Sequence, residues 1–204
     1  MQITQVLSLI AYFINASVFA AIGWLCLDAL AVRIEIKTLF KAVGFGLLAV
    51  GFALNLIGIF SGISLAGLPF WLQSLGLWLI FAAFILDPHS KLQFLAIVAL
   101  VFLFFFREHS LLAIQASLVA VLVLRLAHVT KHNDLIPFGV GFVLMAVGEF
   151  FYTLKKQTML GNLQTAGDFL YIFASIALFY WLWQYLVIRF NLKPRHNAPA
   201  SFNQ

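Results

Sequence analysis

Residues Ile136 to Leu154 read IPFGVGFVLMAVGEFFYTL. Coiled as a helix at 1.5 Å per residue, this run reaches about 28 Å, close to the thickness of a bilayer's hydrocarbon core. Glu149 is its one charged residue, and charges return just outside it, with Lys131 and Asp134 on one side and Lys155 and Lys156 on the other. In lipid every backbone amide and carbonyl must be satisfied within the segment, which a helix does and a lone strand does not. The stretch therefore reads as a transmembrane helix that carries a carboxylate.

Working outward, the same unit recurs. Apolar cores run from Val6 to Val32, Leu39 to Phe60, Phe70 to Leu86, Leu92 to Phe106, Leu111 to His128, Ile136 to Leu154 and Ala166 to Ile188. The fold class expected is an all-α integral membrane protein with seven transmembrane helices; the fourth, Leu92 to Phe106, is only just long enough to cross. Turn formers and charges punctuate the connectors, as in Gly67 with Pro69, Asp87-Pro88 and Asn133-Asp134. Residues 1–190 are expected to form a single seven-helix domain, followed by a short polar tail over residues 191–204.

Composition closes off other classes. Hydrophobic residues make up 64% of the chain and charged residues 9%, against about half and about a quarter in an ordinary soluble domain. A soluble fold has no interior large enough to hide that much apolar surface. The formal charge of +5 comes from basic residues spread over several connectors, with no patch or stripe suited to nucleic acid. Cys26 stands alone in an apolar run, which leaves no disulfide framework and no CxxC motif. The start, Met1 to Gln5, lacks the positive segment of a removed signal peptide, so the first helix is expected to stay in the mature protein. The tail is too short for a catalytic or signalling domain.

Seven spans sort the basic residues by side. Arg33, Lys37, Lys41, Lys91, Arg125, Lys131, Arg189, Lys193 and Arg195 fall with the C-terminus, and only Arg107, Lys155 and Lys156 fall opposite. The bias of basic residues toward the cytoplasm then places the N-terminus outside and the C-terminus inside a cell membrane, in contact with membrane lipids.

The chain also resembles itself. Ile14-Asn15-Ala16-Ser17 lines up with Ile114-Gln115-Ala116-Ser117, and Leu48-Ala49-Val50-Gly51 with Met145-Ala146-Val147-Gly148. Gln73, Gly76 and Ile80-Phe81-Ala82 follow the pattern of Gln164, Gly167 and Ile172-Phe173-Ala174 with a one-residue slip. The matches imply a parallel repeat of about 5–87 and about 110–190 around a linker helix at about 91–107, related by an axis along the membrane normal. Any binding site is then expected at the repeat interface.

This layout is similar to the three-plus-one-plus-three plan of the SWEET sugar transporters and of microbial rhodopsins, and to the seven-helix sensor modules that bacteria place ahead of kinases or cyclic-dinucleotide enzymes. The resemblance is one of plan over about Gln5 to Arg189, with no shared diagnostic motif. Against SWEET-type chains, Pro69, Pro88, Pro137, Pro194 and Pro199 all avoid span interiors; against rhodopsins, Ala166 to Ile188 contains no Lys for a retinal Schiff base. The sensor modules imply a partner protein that receives the signal.

Polar side chains inside spans are costly in hydrocarbon and ask for a partner or a use. Asn15, Asn55, Gln73, Gln115, Glu149, Gln164 and Asp168 all fall in the outer part of their helices, so one polar layer is expected to form a ligand pocket open to the outside. Glu149 is the expected centre, facing inward as a ligand group or else pairing locally with Lys155 or Lys156. Asp168 is expected first as a partner of its helix dipole. The amides serve the pocket or simply tie helices together. His89, His109, His128, His132 and His196 lie at span ends, in loops or in the tail, which offers neither a haem pair nor a metal set, so no cofactor or metal is expected. Tyr171, Tyr180, Trp181, Trp183 and Tyr185 pack, or line a pocket for a flat hydrophobic ligand. No nucleophile elbow, P-loop or HExxH occurs. The expectation is a non-enzymatic sensor or receptor-like module with a small or lipidic ligand and a protein partner; a small-solute transporter and a structural subunit of a membrane complex are the alternatives.

Overall fold

In the computed structural model, the structure describes residues 3–32, 34–62, 65, 67–86, 109–158 and 161–189. Leu92 to Phe106, the expected fourth span, lies outside them, as does the tail. The described residues form α1 (Ile3–Val32), α2 (Ile36–Ser61), α3 (Leu68–Ile85), α4 (His109–Thr130), a short 3-10 turn (Asn133–Leu135), α5 (Ile136–Thr158) and α6 (Gly161–Arg189). Each of the six helices is long and apolar enough to cross a membrane. Helices α4, α5 and α6 correspond to the fifth, sixth and seventh apolar cores of the sequence.

Local chemistry sets most boundaries. Gly62 closes α2 with φ of 66°, a left-handed turn that glycine takes without a Cβ penalty. Gly67 does the same ahead of α3 with φ of 79°, and Pro69 sits in the first turn, where its missing N–H costs nothing. Helix α6 begins five residues before the apolar core at Ala166, because Asn162, Gln164 and Thr165 continue the helix at its polar end.

The helices pack as a ring in chain order. Helix α1 lies on α2 and α2 on α3; α4 lies on α5 and α5 on α6; the ring closes where α3 meets α4 and α6 meets α1. The outside of the ring is apolar, with Phe13, Trp24, Phe60 and Trp71 among its exposed side chains, a surface stable in lipid and not in water. The inside is filled by aromatic rings: Phe138 lies 5.2 Å from Phe142, Phe19 5.7 Å from Phe52, and Phe52 5.6 Å from Tyr171.

Contacts of the first three helices recur in the last three. Gly44 of α2 faces the Gly76 carbonyl and Ile80 of α3, while Gly141 of α5 faces the Ala174 carbonyl and Leu178 of α6. Gly51 faces Pro69 and Gln73 in the first trio; Gly148 faces Gly167 and Tyr171 in the second. Gly23 approaches Ala42, and Gly139 approaches Val123. Between α3 and α6 the contacts thus align Gln73 with Tyr171 and Gly76 with Ala174, whereas sequence matching aligned Gln73 with Gln164 and Gly76 with Gly167. Close backbone approach fixes this register, and small residues of any kind permit it.

Candidate functional site

Glu149 comes from the middle of α5 and is 4% exposed. It faces the ring interior because Val147 and Phe150, exposed at 39% and 53%, take the lipid side of the same helix. His109, the first residue of α4, donates through Nδ1 to Glu149 Oε2 at 2.7 Å. Tyr171 of α6 donates its hydroxyl to Oε1. A carboxylate accepting from both sides offsets part of the cost of burying its charge. The His109 side chain is 51% exposed, so the pair connects the rim of the bundle to its interior.

A second carboxylate stands beside the first. Asp168 of α6 is fully buried and accepts from Ser8 Oγ of α1 at 2.7 Å and from the Tyr152 hydroxyl of α5 at 2.5 Å. The network continues outward: Gln164 Nε2 donates to Ser8 Oγ at 3.3 Å, and Lys155 Nζ donates to Gln164 Oε1 at 2.5 Å. Lys155 thus bonds an amide, and Glu149 bonds His109 and Tyr171 instead of the lysines near it in sequence. The ring of Tyr152 joins the two carboxylate groups, 5.5 Å from His109 and 5.8 Å from Tyr171.

The amides are divided in their use. Gln73 of α3, 5% exposed, lines a small internal cavity with Glu149. Asn15 of α1 is fully buried and donates to the carbonyls of Ala11 and Tyr171, at 2.8 and 3.3 Å, tying α1 to α6. Gln115 of α4 donates to Ser74 Oγ of α3 at 2.9 Å, tying the other junction of the two trios. Asn55 is half-buried on α2 and makes no side-chain hydrogen bond among the described residues. Of the aromatic cluster near the end of the chain, Tyr171 turns into the core while Tyr180, Trp183 and Tyr185 face outward.

Sequence reasoning missed Ser8, Tyr152 and His109 as members of the network. His109 stands at a helix end, where a histidine commonly meets headgroups, and its partner lies 40 residues away. Ser8 and Tyr152 are of types that membrane helices use freely; only their convergence on Asp168 distinguishes them.

The cavity has a volume of about 10 Å³, near the least that holds one water molecule. Gln73, Glu149 and Tyr171 line it together with Leu48, Phe52 and Met145, all buried. Among the described residues, no group of three His, Cys, Asp or Glu side chains is placed to hold a metal. Replacing Tyr152 by Phe removes one of the two hydroxyls that hold Asp168. Unfolding of the purified protein in detergent should show a loss of about 1.5 to 3 kcal/mol, the range for a hydrogen bond to a charged group. Tyr185→Phe, on the outer surface, should show none; equal effects would mean that the Asp168 contact adds nothing.

Six apolar helices around a buried polar network define a multi-pass helical membrane protein. No family model, no curated protein and no solved structure matches this chain.

Proposed function

We propose that the protein is a seven-span, non-enzymatic sensor or receptor-like module of the cell membrane, which takes a small polar ligand at Glu149 from the outer side and signals through a protein partner. The observation that carries this is the His109–Glu149 contact, an exposed imidazole bonded to a buried carboxylate. Such a pair lets an event at the rim reach the interior of the ring.

Two features support the seven-span arrangement. The start of α4 packs against the later part of α5 through His109 and Glu149, while the end of α3 packs against the start of α5 through Phe84 and Phe138, 6.3 Å apart. The chain therefore leaves α3 at one end of the bundle and begins α4 at the other. The nine-to-three division of basic residues supports an orientation with the polar end outside. Cysteine replacing Ser61 should label from outside, and cysteine replacing Thr130 only after permeabilisation, both in a Cys26→Ala background; the reverse result would invert the orientation.

The recurring glycine contacts support a parallel repeat, which also favours the transporter reading. A thermal-shift screen of the purified protein against protons, cations and small polar solutes tests the sensor reading, since a ligand bound to the folded state raises its stability. The expected result is a stabilising ligand whose effect disappears in Glu149→Gln and which proteoliposomes do not accumulate. A ligand that still stabilises Glu149→Gln would move the site elsewhere, and accumulation would make the protein a transporter.

A further inference from the structure

The contacts that repeat between the trios also define where their common axis runs. Gly44 with Gly141, and Gly51 with Gly148, set α2 against α5, so Leu48 answers to Met145 and Phe52 to Glu149. The register of α3 against α6 makes Gln73 answer to Tyr171. All three of these pairs line the one-water cavity. A space lined by both members of each pair lies on the axis that relates them. The same position in the two halves has diverged: the second half offers a carboxylate and a phenol where the first offers a phenyl ring and an amide.

That amide is incomplete. Gln73 is 95% buried by its 5% exposure, and its Nε2 has no hydrogen-bond partner. An unsatisfied buried donor is costly, and membrane interiors leave no bulk water to relieve it. Glu149 lines the same cavity, with a carboxylate already accepting from His109 and Tyr171 and able to accept more. Three polar residues, Gln73, Glu149 and Tyr171, interrupt a lining otherwise apolar, and buried water characteristically occupies a space of about its own size beside a polar group left unsatisfied.

We propose that the axial cavity is a hydration site, in which a single water molecule accepts from Gln73 Nε2 and donates to the Glu149 carboxylate. This rests on the reading of Glu149 as the centre of the site and adds what solvates its carboxylate on the inner side. The water links the first trio, through α3, to the second, through α5, at the axis about which the halves are arranged. It also completes a hydrogen-bonded route from the rim: His109, Glu149, water, Gln73. Exchange along this route balances when His109 carries both ring protons: the imidazolium passes its Nδ1 proton to Glu149 Oε2, leaving a neutral imidazole and a carboxylic acid, and solvent at the exposed rim returns a proton to the ring. Among the described residues, the other titratable groups that interact electrostatically with Glu149 are Tyr12 from α1, Tyr152 from α5 and Tyr171 from α6.

Infrared spectroscopy of the reconstituted full chain tests it. In water enriched with oxygen-18, the wild type should show an isotope-shifted O–H stretching band from a confined water molecule; the band should vanish in Gln73→Met and move to higher frequency in Glu149→Gln, whose neutral amide accepts more weakly than a carboxylate. On transfer to heavy water, the band should exchange at least tenfold more slowly in His109→Phe than in the wild type. Glu149→Gln preserves shape and carries the test if Gln73→Met does not fold. Absence of an oxygen-18-sensitive band in the wild type, or a band at the same frequency in Glu149→Gln, overturns the proposal. A Glu149-dependent ligand found in the thermal-shift screen without this band would leave the site reading standing and remove only the water.

Discussion

Leucine in place of Glu149 is expected to destabilise the protein by about 3 kcal/mol, measured by unfolding in detergent with circular dichroism. The cost comes from what is left behind. Tyr171, 1% exposed, loses the acceptor of its hydroxyl out of reach of bulk water, which by itself costs about 1 to 3 kcal/mol. His109 loses its carboxylate too, but with half its side chain exposed it can be solvated again and contributes less. Glutamine at the same place keeps an acceptor for Tyr171 and should cost about 1 kcal/mol or less. The contrast between the two variants is the informative quantity. If Leu and Gln behave alike, the hydroxyl of Tyr171 does not depend on Glu149, and the inward-facing polar centre is lost as an account of this region.

Valine in place of Gly44 should be at least as damaging, for a reason unconnected with polarity. A Cβ built on Gly44 would stand 2.8 Å from the Gly76 carbonyl oxygen and 2.8 Å from Ile80 Cγ1. The first of these neighbours is backbone, which has no rotamer to change. Helices α2 and α3 would have to separate, opening the contact that also holds Gln73 against Gly51, and overpacking of this kind costs about 3 kcal/mol. Gly76→Ala meets the same obstacle from the other side, with its Cβ 2.7 Å from the Gly44 carbonyl. Gly46, on the same helix, has nothing within 4 Å of its Cβ position. Gly46→Ala should therefore unfold at or slightly above the wild-type temperature. A Gly44 variant as stable as the Gly46 variant would show that α2 and α3 do not meet this closely in the membrane.

A lipid-facing groove lies between α5 and α6, over Val140, Leu144, Phe173 and Tyr180. It is apolar throughout its lining apart from the tyrosine hydroxyl, and acyl chains suffice to fill it. Nothing in its chemistry asks for a specific occupant, which separates it from the axial cavity, where a buried donor does.

What the sequence determined by itself is the membrane character and the depth of the polar residues. Lipid acts on each helix separately: a segment must be apolar along its own length to enter, so runs such as Ile136 to Leu154 announce themselves without reference to any partner. Asn15, Gln73, Gln115, Glu149 and Asp168 could be assigned to one end of the bundle by counting residues from the nearest charges. Rotation about each helix axis was not legible in the same way, because both the lipid-facing and the interior faces of these helices are apolar and leave little asymmetry to read. Tertiary packing decided it, through glycines that let α2 meet α3 and α5 meet α6 at particular turns. Those contacts turned Glu149 toward His109 and Tyr171, gathered Ser8 and Tyr152 on Asp168, and set Gln73 opposite Tyr171 instead of in register with Gln164. Hydrogen bonds reach only about 3 Å, so partners 40 or 160 residues apart along the chain, as His109 with Glu149 and Ser8 with Asp168, become visible only when the helices are placed side by side.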